Sequence, residues 1–236
     1  MPALNSSATV VSVGQQVRAL GIHRIFLVDN GSTDGTVEKA RKIQGITIVR
    51  NTGARGYGAN MKSCFRLARK TNAQIIVELH PDGEYDADGI AHGIAAIARG
   101  ADVVIGNRFG VPGRPKPRGM FVSKYVALRL LSLLQSLLLR CIVPDYQSGF
   151  RMFTGSVIDR VPWNLCSDGY LFRFELLCLC LFYRYVLISV PVTANYTGKN
   201  RGIYRIASYI YAVETIGVIF RYYAAMLGKR SGIFRR

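Results

Sequence analysis

Apolar residues in this chain gather in short β-branched runs, each cut off by a polar turn and followed by a stretch of helical character. Residues 23–28, 46–50, 75–79 and 102–106 read as strands. Between them, residues 37–43, about 57–70 and about 89–99 read as helices. Strands separated by helices predict a parallel sheet of the nucleotide-binding type. The second half changes character. Residues 111–118 hold three prolines and three basic residues and read as a loop. Residues 120–143 are leucine-rich, with Arg129, Ser132, Ser136 and Arg140 at helical spacing on one narrow face. Such a helix lies either in a core or along a membrane surface, and its basic flanks favour the surface. Residues 144–151 read as a polar loop, 187–192 as a strand and 195–201 as a basic turn. Residues 203–223 read as an aromatic-rich helix, in which Arg205, Glu214 and Arg221 argue against a membrane span. No internal repeat or low-complexity tract is visible.

Charge divides the chain in the same place. Residues 1–102 carry 12 basic and 9 acidic side chains, whereas residues 103–236 carry 19 and 5, within a net charge of +17. The second half is therefore expected to face something anionic. A hydrophobic content of 50% excludes disorder. The five cysteines (64, 141, 166, 178 and 180) are odd in number and sit mostly in apolar segments, which predicts buried free thiols. Cys178 and Cys180 have the wrong spacing for a redox or zinc pair. The first residues lack the basic region and apolar core of a secretory leader. No clean apolar stretch is expected to reach spanning length.

The richest chemistry follows the 75–79 run, in LHPDGEYDAD (79–88). Pro81 and Gly83 break the strand sharply, leaving oxygen ligands at its C-terminal end, where open α/β sheets bind ligands. Asp82 and Glu84 suit Mg²⁺ or Mn²⁺, and His80 offers a nitrogen. A calcium loop fails, because Ala87 stands where glycine is required and Gly93 where glutamate is. Gly53, Gly56 and Gly58 open the second helix. Their spacing is not the dinucleotide fingerprint, and no Walker motif exists. They either admit a phosphate to the helix N-terminus or mark a tight turn.

Taken together, these blocks resemble the family 2 glycosyltransferases of the GT-A fold, especially the dolichyl-phosphate mannosyltransferase-like branch. MPALN (1–5) resembles the end of that family's opening "PAxNE", and VDNGSTDGT (28–36) its "VDDGSTDGT". NTGARGYGA (51–59) is similar to "NxGxGxA", and residues 79–88 to the metal-binding "DADGQYDP". ADVVIGNR (101–108) is similar to "ADVVIGSR", DYQSGF (145–150) to "DxxSGFR", and VPVT (190–193) to the late "VPV" strand. The blocks run in the family's order from Met1 to about Ile206.

The resemblance implies an α/β fold: a GT-A, Rossmann-like, mostly parallel sheet flanked by helices, with amphipathic interfacial helices. Residues 1–202 would form the glycosyltransferase domain, with a nucleotide-sugar half (1–106) and an acceptor half (107–202). Residues 203–236 would form a basic, helical, membrane-proximal extension. Pro2, Leu4, Asn5, Asp29, Asn30, Gly56 and Asp82 would bind the nucleotide sugar. Asp82, Glu84 and His80 would hold Mg²⁺ or Mn²⁺. Asp145, Asp82 and Arg108 would serve catalysis, and Arg108, Arg118, Ser148 and Arg201 would meet an acceptor phosphate. The implied reaction is metal-dependent, inverting transfer from a nucleotide-diphosphate-sugar to a polyprenyl phosphate, on the cytoplasmic face of a membrane with anionic lipid. The alternatives are transfer to a saccharide hydroxyl in cell-envelope synthesis and a degenerate, non-catalytic family member. Nucleic acid is not expected as a partner, since no helix-turn-helix, zinc or aromatic-sheet signature is present.

Three departures from the pattern stand out. His80 replaces the first aspartate of the metal motif. Ser6 and Ser7 replace acidic residues after Asn5. The chain also opens where the family's first strand should have ended, so a central slot is expected to be empty and its neighbours' edges unpaired. A wrong start site, a truncation or a degenerate copy would each give that pattern.

Overall fold

In the computed structural model, the described residues are 1–114, 116–197, 205–229 and 232–234. The β-branched runs become strands arranged in two sheets. Pro2–Ala3 (β1), Ile25–Asp29 (β2) and Ile46–Arg50 (β3) form a parallel sheet in the order β1-β2-β3. Ile75–Glu78 (β4), Val103–Asn107 (β5), Arg151–Thr154 (β6) and Leu187–Pro191 (β7) form a second sheet in the order β4-β6-β5-β7. Strand β6 runs antiparallel to both β4 and β5, while β5 and β7 are parallel.

The first-strand slot is not empty. Pro2 pairs with Val28 and Ala3 with Asp29, and the amino group of Met1 donates to the Phe26 carbonyl at 2.8 Å. Two residues are too short to bridge to the other sheet, and no ladder joins β1 to β4 among the described residues. The polar loop expected at 144–151 gives way to strand at its last residue. Arg151 is fully buried there, and its guanidinium donates to the carbonyls of Ser148, Arg173 and Tyr146. That internal satisfaction is what permits a buried cation in a strand.

Helices cover both faces. On one face lie Val10–Ala19 (α1), Thr36–Ala40 (α2) and Gly89–Ala98 (α4); Tyr57–Arg69 (α3) supports the other. Alternation along β5 sorts the core as a strand's period of two requires. Val103 and Ile105 join a cluster with Met61, Phe65 and Phe172, while Val104 joins one with Val13, Ile90 and Met152. Helix α1 packs closely because Gly14 lacks a side chain; a Cβ there would stand 2.4 Å from Ile43 Cδ1.

The chain continues through Val122–Leu139 (α5), Gly155–Arg160 (α6), Phe172–Phe182 (α7) and Arg205–Met226 (α8). Helix α7 is buried along nearly its whole length, including Cys178 and Cys180, and Val218, Ile219 and Phe234 share its core. All five cysteines are free; Cys166, Cys178 and Cys180 are buried, Cys64 and Cys141 partly so. Contrary to the reading of the sequence, one apolar helix does reach spanning length, namely Val122–Leu139. Its polar residues are too few to break the run. Two of them face inward: Ser132 and Gln135 are buried, whereas Arg129, Leu130, Leu133, Leu134 and Leu137 are exposed.

Candidate active site

The C-terminal ends of β2, β3, β4 and β5 lie along one edge, and the antiparallel β6 delivers residues 145–150 to the same edge. Two polar regions occupy it.

The first is a clamp between the chain's opening residues and the loop after β2. Asp29 is buried and accepts the backbone N–H groups of Gly31 and Ser32 at 3.3 and 3.1 Å. The Asn5 side chain accepts the Thr33 N–H, and the Asn5 N–H donates to the Ser32 hydroxyl. Ser6 and Ser7, standing where the family has acids, donate their N–H groups to Thr36 Oγ1 and Asp34 Oδ2. Desolvation works to raise the Asp34 pKa, but hydrogen bonds from Thr36 and Ser7 bring it down to about 2. Asn51 donates to the Asn30 side chain at 3.1 Å. Pro2 is buried beneath this clamp and Leu4 is exposed beside it.

Gly56 and Gly58 are accounted for by packing of the chain on itself. A Cβ at either position would stand 2.3 Å from a backbone oxygen, that of Asp168 or Ser167. The Ala59 N–H at the start of α3 donates to the Asp168 carbonyl, and Lys62 pairs with the Asp168 carboxylate at 2.7 Å.

The second region is ionic and buried. Arg108, just past β5, donates through Nε and Nη2 to the two oxygens of Asp145 at 2.6 and 2.7 Å. Asp145 is fully buried. Arg108 Nη1 donates to the Tyr196 hydroxyl, which in turn donates to Glu84; Nη1 itself lies 3.6 Å from Glu84. Burial works to lower the Arg108 pKa, but Asp145 and the neighbouring phenols hold it well above its ordinary value. Burial works to raise the Glu84 pKa, and Arg108 with the Tyr196 hydroxyl holds it below the usual carboxylate range.

The expected metal set does not converge. Among the described residues no group of three or more His, Cys, Asp or Glu is placed to hold an ion. Glu84 is committed to Tyr196 and Arg108. His80 stacks on Tyr57 at 5.7 Å, and its Nε2 lies 3.4 Å from the buried Glu78, which also accepts the Tyr57 hydroxyl. Burial tends to raise the Glu78 pKa, but the His80 hydrogen bond and Arg151 lower it. Asp82 is different. One oxygen accepts the Glu84 N–H at 2.9 Å, and the other has no partner among the described residues. One free carboxylate oxygen suits a divalent cation that takes its remaining ligands from a diphosphate.

The acceptor residues also separate. Ser148 is fully buried, with its hydroxyl accepting the Phe150 N–H. Arg118 is exposed, and its carbonyl accepts the Tyr196 N–H. Arg201 lies outside the described residues. Tyr57, Glu78, Arg173 and Tyr196 belong to the network without having been singled out from the sequence. Tyr57 lies within a matched block, Glu78 just before one and Tyr196 just past one, whereas Arg173 lies far from any and carried no signal.

A family model described as glycosyl transferase family 2 matches residues 1–161. The chain belongs to that family. This glycosyltransferase is 25% identical over 197 residues to a polyprenol monophosphomannose synthase of Mycolicibacterium smegmatis, covering 81% of this chain and 73% of that protein. It is 24% identical over 214 residues to a UDP-N-acetylglucosamine–dolichyl-phosphate N-acetylglucosaminyltransferase of Methanococcus voltae, covering 84% of each. Among solved structures, glucosyl-3-phosphoglycerate synthase of Mycobacterium tuberculosis, bound to uridine diphosphate, superposes with a TM-score of 0.66 at 21% identity. That match covers 94% of this chain and 77% of the other. The same enzyme has been solved with Mn²⁺ and uridine diphosphate. The GT-A fold is thereby established for this chain.

Proposed function

We propose that this glycosyltransferase moves a sugar from a nucleotide-diphosphate donor to a polyprenyl phosphate at the cytoplasmic face of a membrane. The observation that carries this reading is the occupation of Asp145: both carboxylate oxygens are held by Arg108 in a buried bidentate pair. A carboxylate so engaged does not serve as a general base. A saccharide hydroxyl needs a base, whereas a phosphate monoester, with a second pKa of about 6, is largely ionised at pH 7. Such an acceptor attacks directly, and a single displacement inverts the sugar carbon.

The rest of the site supports the same division of labour. The clamp of Asn5, Asp29 and Asn30 shapes the donor side, with Pro2 below it and Leu4 at its rim. Asp82 would hold Mg²⁺ or Mn²⁺, which when bound would neutralise charge growing on the leaving diphosphate. Arg108 and Asp145 shape the acceptor side, and exposed Arg118 lies on the approach, where Arg201 would also serve. The relatives named for polyprenol and dolichyl phosphate support a lipid-phosphate acceptor. The outward leucine face of α5, with Arg114 and Arg118 exposed before it, suits an anionic membrane on which the protein rests peripherally.

The test is transfer from a panel of radiolabelled nucleotide sugars to polyprenyl phosphate in vesicles, with and without Mn²⁺ or Mg²⁺. Labelled lipid extracted into organic solvent is the expected result. Label moving only to added oligosaccharides would overturn the acceptor assignment in favour of a saccharide hydroxyl.

A further inference from the structure

Tyr196 joins four parts of the molecule. Its backbone N–H donates to Arg118 at 2.8 Å, and the neighbouring Asn195 N–H donates to the Glu84 carbonyl at 2.9 Å. Ala194 forms a bridge with Tyr85. Residues 193–197 thus lie as a strap between the acidic loop after β4 and the segment leading into α5. The Tyr196 ring is buried, and the Lys124 ammonium from the first turn of α5 sits 4.4 Å from its centroid. Its hydroxyl stands between a cation and an anion, accepting from Arg108 Nη1 and donating to Glu84 Oε1.

That placement solves a competition. Arg108 has two carboxylates within reach, the buried Asp145 on one side and the partly buried Glu84 on the other. Only the bidentate geometry with Asp145 fixes the guanidinium plane. With Nη1 3.6 Å from Glu84, a small rotation would trade that geometry for a direct pair with Glu84. The phenol hydroxyl satisfies both competitors through one oxygen and keeps them apart. A phenylalanine would fill the same space and leave the two free to collapse together.

We propose that Tyr196 is a positioning residue, which holds the Arg108 guanidinium flat against Asp145 so that its remaining N–H edge, with the Lys124 ammonium nearby, receives an anionic phosphate. The ligand class is the phosphate monoester of a lipid acceptor. This rests on the acceptor reading given above. The geometry further assigns Lys124 to the site itself, because its side chain is half-buried and its ammonium lies over the Tyr196 ring.

The experiment compares wild type, Tyr196→Phe, and Tyr196→Phe combined with Glu84→Gln. Two readouts are used: transfer kinetics, and calorimetric binding of farnesyl phosphate and of the nucleotide donor. Loss of a buried hydrogen bond to charged partners is expected to raise the acceptor KM of Tyr196→Phe about tenfold or more. Donor affinity should stay within about twofold. Glu84→Gln, by neutralising the competitor, should recover part of the acceptor affinity. An unchanged acceptor KM would overturn the proposal, as would a parallel loss of donor and acceptor affinity without recovery. Farnesyl phosphate binding separates the two hypotheses. If the wild type binds it and Tyr196→Phe binds it more weakly, the positioning role stands even where no sugar reaches that lipid, and only the transfer reading falls. If the wild type does not bind it, the positioning role falls.

Discussion

The donor clamp and the acceptor network are built from opposite materials. The clamp ties residues 3–7 to 29–36 through backbone N–H groups and short polar side chains, mostly at the exposed rim. The network ties Glu84, Arg108, Asp145 and Tyr196 across separations of 37 to 112 residues, almost wholly out of water. Neutral hydrogen bonds at a rim are individually modest and replaceable by water. A charge in a core that loses its partner is not rescued by water, so it stays uncompensated. The first arrangement can yield to an entering nucleotide. The second must be complete before any ligand arrives.

Breaking the network should therefore produce the largest effect. Removing one member of the Arg108–Asp145 pair leaves an uncompensated buried charge, so Asp145→Ala is expected to lose about 3–5 kcal/mol of stability in denaturant unfolding. The double variant Arg108→Met with Asp145→Leu should recover much of that stability and no transfer activity. Recovered activity would show that the pair only holds the fold together.

His80 tests the border between the two regions. Restoring the family's aspartate there looks favourable from the motif alone. In the structure, however, the new carboxylate would lie beside the buried Glu78 and lose the stack on Tyr57. His80→Asp is expected to destabilise by about 1–3 kcal/mol in thermal or chemical unfolding. Asp82→Asn, at a half-exposed position with one free oxygen, should leave unfolding unchanged. It should also remove most of the Mn²⁺-dependent part of nucleotide-sugar affinity in calorimetry. Metal-dependent affinity that survives in Asp82→Asn would move the cation elsewhere.

These contrasts explain what could be read from the sequence. The clamp was legible because MPALN and VDNGSTDGT are contiguous strings whose side chains bond their own neighbours. The network was legible only member by member. Asp145, Arg108 and Glu84 sit in recognisable blocks, but nothing in the chain says that they neutralise one another, and Tyr196 lies just past the VPVT block. Strand β6 escaped because four residues beginning with arginine carry no strand signal. Helix α7, eleven residues of almost unbroken apolar character, offers no periodicity from which to tell helix from strand. Helix α5 was read with a polar stripe of Arg129, Ser132, Ser136 and Arg140, of which Ser132 turns inward while Arg129 and Arg140 are exposed. That Ser132 and Gln135 are both bonded to Gln147 is a tertiary fact.

The two faces of α5 extend the comparison to the membrane. Leu133, Leu134 and Leu137 are 57%, 44% and 68% exposed, so changing all three to serine should cost little folding stability. Sedimentation with anionic vesicles should show that this variant stays in the supernatant where wild type pellets. A cooperative loss of structure would mean that these leucines are packed, and the lipid-facing role would fall. Neutralising Arg114 and Arg118 should weaken vesicle binding in a salt-dependent way, by about 1 kcal/mol for each residue. Lys124 is left out of that set because its ammonium faces Tyr196.

The smallest effect is expected at the clamp, and it has a definite sign. Asp34 has a folded pKa of about 2 against an ordinary 3.8, held down by Thr36 and Ser7. A group with a depressed folded pKa contributes stability that is fully present above its unfolded value and lost as pH falls through the folded one. The contribution of Asp34 should thus be constant above about pH 5, shrink between about pH 4 and pH 2, and vanish below. Because the carboxylate is exposed, solvent screening keeps the amount small. Unfolding midpoints of wild type and Asp34→Asn, measured from pH 6 downward, should differ slightly at first and converge near pH 2. A gap that did not change with pH would mean that the Asp34 contacts act by shape rather than charge, and the clamp would then resemble the buried network in needing one fixed geometry.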